Sequence, residues 1–199
     1  TKVLFEKWTN LESFQEARGV LRIMALAIRD SLEWDDSPLI ATNAFLSPPD
    51  QMDLDDAASE LATIASQEEY EGTKQNWTGI LTGELNRSRG VQERFAALSG
   101  REVEQAIFAI FLHSQPKGHT ANLQDVRRLI GHTHPDKIEL DQALKDLTST
   151  SWFLDEKHFV EDRNKIPREW RLGSRPNLTQ MHDKAKSSIE DLVETNLED

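Results

Sequence analysis

The sequence predicts a mainly α protein: a helical region over residues 1–98, a winged-helix domain of three helices and a β-hairpin over 99–176, and an amphipathic helix over 177–199. Three observations lead there. Apolar residues recur at steps of three and four through most of the chain, which at about 100° per residue gathers them on one side of a helix. Three capped helical segments after residue 99 precede two short runs rich in aromatic and branched residues, the element order of a winged helix. The last twenty-odd residues carry a narrow apolar stripe compatible with a partner helix.

The first helix is expected over 11–32, with Thr9-Asn10-Leu11-Glu12 at capping-box spacing. Phe14, Ala17, Leu21, Met24, Ile28 and Leu32 make its apolar stripe, expected to face a core. Arg18, Arg22 and Arg29 run on a second line beside it. Ser47-Pro48-Pro49-Asp50 breaks the chain before a second helix at about 53–66, whose apolar side is Leu54, Ala57, Ala58, Leu61, Ile64 and Ala65. Trp77, Ile80 and Leu81 must pack inward. Asn86 to Gly90 reads as a turn before a helix at 91–98.

Ser99-Gly100-Arg101-Glu102 is a second capping box, and the run Val103 to Leu112 is apolar around so much of its circumference that it belongs at the centre of a core. A short helix follows at 122–131, capped by Asn122 and stopped by Gly131. The next spans 136–149 from Asp136, with Ile138, Ala143, Leu144 and Leu147 inward. Trp152-Phe153-Leu154 and Glu169-Trp170-Arg171-Leu172 are the expected strands of the hairpin. From Pro176-Asn177-Leu178 a last helix carries Leu178, Met181, Ala185, Ile189, Leu192, Val193 and Leu197 on one stripe.

Composition restricts the chemistry. The chain has 199 residues, no cysteine and a net charge of −12. The absence of thiols removes disulfides, cysteine-bound zinc and thiol nucleophiles, and fits a reducing cytoplasm. The negative field repels polyanions. No apolar run approaches the roughly 20 residues that span a bilayer, and the start lacks the layout of a signal peptide, so no membrane is expected and the chain reads as an excised piece of a longer protein. There is no Gly-x-x-x-x-Gly-Lys-[Ser/Thr] loop, so the chain cannot cradle a nucleoside triphosphate alone by that route and is not read as an enzyme by itself. His132 and His134 sit in a loop without a ligand set of recognisable spacing, and no metal site is assigned.

Two groups of cations remain as candidate sites. Arg163, Lys165, Arg168 and Arg171 collect on the hairpin and make a weak candidate for nucleic acid, because acidic residues are interleaved with them. The third helix of the winged-helix unit offers Glu139, Asp141 and Asp146, which suit phosphates badly. Arg18 and Arg22 stand on a rigid helix, where guanidinium forks could meet phosphate oxygens of a neighbouring domain. On periodicity alone, pairing with local carboxylates is the favoured role for both.

Phe5-Glu6-Lys7-Trp8, Phe14-Gln15-Glu16-Ala17-Arg18-Gly19-Val20-Leu21-Arg22, Ser37-Pro38-Leu39-Ile40 and Arg175-Pro176-Asn177-Leu178 together resemble the C-terminal half of a prokaryotic P-loop ATPase family, domain-of-unknown-function family 499, over nearly the whole chain. The resemblance implies large AAA-type ATPases, several encoded in phage-defence islands, with the nucleotide-binding core upstream. It implies ATP and magnesium in the parent and no cofactor in this portion. It makes residues 1–98 lid-like, Arg18 and Arg22 candidate lid arginines that contact the nucleotide, and the upstream core the main partner. A protein partner or oligomer through the C-terminal helix is the second expectation.

Overall fold

The computed structural model describes residues 2–11, 14, 16–37, 39–67, 69–70, 73–115, 119–155, 167–177, 182 and 186. Its helices are α1 Lys2–Thr9, α2 Glu16–Ser31, α3 Asp56–Gln67, α4 Trp77–Gln92, α5 Glu102–Ser114, α6 Leu123–Ile130 and α7 Lys137–Thr150. Two-residue strands β1 Glu69–Tyr70 and β2 Thr73–Lys74 pair antiparallel. A second antiparallel sheet places β5 Glu169–Leu172 between β3 Ala121–Asn122 and β4 Leu154–Asp155. The fold is thus mainly helical with one small three-stranded sheet. No described helix is long and apolar enough to cross a membrane.

α5 forms the centre, as its composition requires: every residue from Glu102 to Ser114 is buried. α4 packs against it, so the expected division at 98/99 falls between two helices in direct contact. One apolar cluster runs from Trp8 to Leu172. Two buried carboxylates tie the helices together. Glu104 on α5 accepts from Arg101 at 2.6 Å through both oxygens and from Arg89 of α4 at 2.7 Å. Glu84 of α4 is fully buried and reaches the start of β4, accepting from Ser151 Oγ at 2.5 Å and from the Trp152 and Phe153 amides at 3.1 and 3.2 Å.

Local chemistry explains several boundaries. Asn122 accepts from the Asp125 amide at 2.9 Å, and Asp136 accepts from both Ile138 and Glu139 amides at 2.9 Å, so α6 and α7 start where the capping residues predict. Trp170 and Leu172 of β5 point into the core at 1% and 0% exposure, and Trp170 Nε1 donates to Thr148 at 2.9 Å.

Other expectations need correction. The helix expected over 11–32 is α2, which begins only at Glu16, and a separate helix α1 precedes it; the Thr9 hydroxyl donates back to the Phe5 carbonyl at 2.8 Å, closing α1 instead of capping α2. The buried line of α2 is Ile23, Ala27 and Ser31; Leu21 and Leu32 are 72% and 76% exposed. The helix carries two neighbouring apolar lines, and the position of α3 and of the 3-10 turn Thr42–Phe45 selects which one is covered. The turn expected at 86–90 lies inside α4. There Trp77, Ile80, Leu81, Glu84, Leu85, Ser88 and Val91 bury one face, and that packing overrides the local preference of Asn86 and Gly90. The second box does not form: Ser99 is exposed, Arg101 at φ 57° holds the N-cap position without a side-chain cap, and Glu102, the first helical residue, accepts from the Gly100 amide at 2.9 Å and not from Ser99. Ile138 is 80% exposed, and Leu140 takes the inward position. The helix expected from residue 178 lies outside the described residues except at His182 and Lys186, both exposed.

Asp55 yields a stability prediction. It caps α3 through Oδ1, which accepts from the Ala58 amide at 2.7 Å, yet it is only 9% exposed. Burial, with Asp30 and Asp56 nearby, pushes its carboxyl from 3.8 up to about 6. The folded state therefore holds this proton more tightly than the unfolded chain does. The charged form weakens the fold above pH 6, and the penalty fades as pH falls from 6 towards 4. Asp55→Asn keeps the capping oxygen and removes the charge. Urea unfolding near pH 7 should show a gain of about 1–2 kcal/mol, shrinking near pH 4. A gain of equal size at both pH values would assign the effect to packing and not to charge.

Candidate functional site

α2 and α3 lie side by side and antiparallel, and their outer seam carries a ladder of charges. Arg29 meets Asp56 at 2.5 Å, and Arg22 donates through Nε to both oxygens of Glu60 at 2.7 and 2.9 Å. Going four residues along α3, from Asp56 to Glu60, goes seven back along α2. Arg18, four residues further back, should find its acidic partner near position 63. Thr63 stands there, with Ile64 and Gln67 beside it in the cavity lining. Arg18 is exposed and makes no hydrogen bond or ion pair among the described residues.

Around this missing rung lies a cavity of about 430 Å³, lined by Phe14, Arg18, Gly19, Arg22, Glu60, Thr63, Ile64 and Gln67. Its floor is made by the approach of the chain before α2. A Cβ on Gly19 would sit 1.7 Å from the Phe14 carbonyl oxygen, so only glycine lets residue 14 tuck beneath the helix. Phe14 is buried against Trp8, ring centroids 5.6 Å apart. One guanidinium is free and the next is shared with a partly exposed carboxylate. Side chains in that state can take an oxyanion, and Thr63 and Gln67 add neutral hydrogen-bonding groups at the rim.

The two sequence-predicted arginines are therefore brought together, and α3 adds Glu60, Thr63 and Gln67 to them. Nothing in the sequence pointed to those three residues, because the pairing of α2 with α3 decides which residues face each other. The hairpin cations fare differently. Arg163 and Lys165 lie outside the described residues. Arg168 is exposed, and its carbonyl accepts from the Leu123 amide at 3.0 Å. Arg171 reaches across the strands to Asp155 at 3.0 Å, so its charge is spent within the sheet. On α7, Asp141 pairs with Arg127 and Asp146 with Arg94 at 3.5 Å.

Among the described residues no three His, Asp or Glu stand close enough to hold a metal ion. His132 lies in the 3-10 turn Gly131–Thr133, and His134 follows in a left-handed conformation at φ 49°. At the other end of α5, Lys7 donates to the His113 carbonyl at 2.9 Å, and burial lowers the Lys7 ammonium below its usual range while nearby Asp125 offsets part of this. Burial also lowers His113, whose Nδ1 stands 3.8 Å from Asp125, beyond hydrogen-bond distance.

Fold and site together define a mainly helical protein with an arginine-lined groove between two antiparallel helices. No family model, curated protein or solved structure matches the chain.

Proposed function

We propose that this chain is the C-terminal regulatory or coupling region of a larger P-loop ATPase, in which the groove of Arg18 and Arg22 meets the phosphates of a nucleotide bound by an upstream core. The observation that carries the reading is the unpartnered Arg18 beside Arg22 at the open rung of the α2–α3 ladder. A permanent cation held on a rigid helix, with its planar fork unspent, suits stabilisation of phosphoryl oxygens. ATP and magnesium belong to the core in this reading; the present chain contributes only the arginines. The parent would work in the cytoplasm.

The order α5, β3, α6, α7, β4, β5, with β5 central in the sheet, supports a winged-helix reading of residues 99–176. The half-buried acids of α7, two of them already paired with Arg127 and Arg94, and the engagement of Arg171 leave no free cationic face there for a duplex among the described residues and favour a protein-facing role. The C-terminal residues 177–199 would then supply a contact to a protein partner or to another copy.

The test is ATP turnover by the longer parent protein. Arg18→Ala should lower turnover by at least about tenfold. Arg22→Ala should lower it less, because Glu60 already occupies that guanidinium. Unchanged turnover and nucleotide affinity in both variants would remove the assignment.

A further inference from the structure

Along the α2–α3 seam each arginine is treated differently. Arg29 is held by Asp30 and Asp56, Arg22 by Glu60 alone, and Arg18 by nothing among the described residues. The Arg22 and Glu60 side chains are 68% and 26% exposed, so water screens their attraction. An ion pair of this kind is weak, and a competing anion can displace it. Glu60 also lines the cavity itself, so any anion entering beside Arg18 comes close to that carboxylate.

We infer that Glu60 is the gate of this oxyanion site: it holds Arg22 when the groove is empty and surrenders it only to a ligand whose charge exceeds its own. A carboxylate ligand offers Arg22 no more than Glu60 does and suffers its repulsion. A phosphoryl group with two or more charges can bridge Arg18 and Arg22 and displace Glu60 from Arg22. The groove therefore selects oligophosphate over carboxylate, and Glu60 sets how much affinity is withheld until both arginines engage. This rests on the reading of Arg18 and Arg22 as phosphate ligands, and it adds the residue that regulates them.

Glu60→Gln tests it with little risk to the fold, since glutamine keeps the shape and still offers Arg22 an acceptor. The probe is inorganic pyrophosphate, titrated into the isotopically labelled chain at fixed ionic strength while the Nε–H signals of Arg18 and Arg22 are followed. Both signals are expected to move in the native chain, and acetate is expected to move neither. Glu60→Gln should tighten pyrophosphate binding about two- to fivefold, the range that a weak surface ion pair allows. Asp56→Asn, which removes an equal charge one turn away beside Arg29, should leave binding within experimental error. In an Arg22→Gln background the share of that gain due to releasing Arg22 should vanish, leaving only the relief of Glu60's direct repulsion.

If pyrophosphate moves neither signal, or if Asp56→Asn tightens binding as much as Glu60→Gln does, the gate does not exist. Acetate shifting the two signals as strongly as pyrophosphate overturns the selectivity. None of these outcomes depends on ATP turnover by the parent, so failure of the gate and failure of the ATPase reading are told apart. Turnover that still requires Arg18, with no effect of Glu60→Gln on pyrophosphate, keeps that reading and discards the gate.

Discussion

Glu84→Ala is expected to cost about 3–5 kcal/mol of stability, the loss associated with breaking a buried charged network from one side. The carboxylate has no contact with solvent and serves four donors: the Ser151 hydroxyl, the Trp152 and Phe153 amides, and Arg87 at 3.1 Å. Truncation leaves two amides and a hydroxyl without partners where α7 turns into β4. Arg87 is better placed to recover, since it also lies over the Trp152 ring at 3.9 Å and can reach water. Glu84→Gln should cost less, about 1–2 kcal/mol, because one oxygen can still receive the amides. Urea midpoints measure both changes, and amide exchange at Trp152 and Phe153 should accelerate in Glu84→Ala first. If alanine costs no more than glutamine, the network contributes nothing beyond packing.

Gly19→Ala should destabilise by about 3 kcal/mol, since the added methyl meets backbone and not a movable side chain. The Phe14 carbonyl must retreat, and with it the ring that packs on Trp8. Because Gly19 also lines the arginine groove, the same change should blunt any phosphate response at Arg18. Gly90→Ala is the matched control. Nothing lies within 4 Å of a methyl at that position on α4, so it should stabilise by about 0.5–1 kcal/mol. Equal effects at the two glycines would mean that Phe14 does not depend on close passage beneath α2.

Local signals carried the reading of this sequence as far as local physics reaches. Asn122 and Asp136 each satisfy amides two or three residues ahead, so their helices began where their side chains said. The buried run of α5 could be recognised for a similar reason, being apolar whichever way it is turned. Failures came where a neighbour decides. Asn86 and Gly90 favour a turn by themselves, but the packed face of α4 outweighs them. Leu21 and Leu32 formed a regular stripe, and only the placement of α3 shows that the adjacent line is the covered one. The candidate site divides the same way. Arg18 and Arg22 were visible as a cationic line on a helix; Glu60 and the missing acid opposite Arg18 exist only once two helices are set in register.

α1 is easily taken for an appendage, being short, amphipathic and first in the chain. Yet Trp8 donates its indole proton to the Leu112 carbonyl at 2.9 Å, and Lys7 covers the carbonyl of His113. These are end groups of the central helix, which have no partner within it. The same indole rests against Phe111 at 5.8 Å. A shortened version starting after Thr9 would therefore lose the plug from the far end of α5 and leave an indole-sized hole beneath it. Anyone trimming the protein for expression would cut into its foundation while appearing only to tidy its edge.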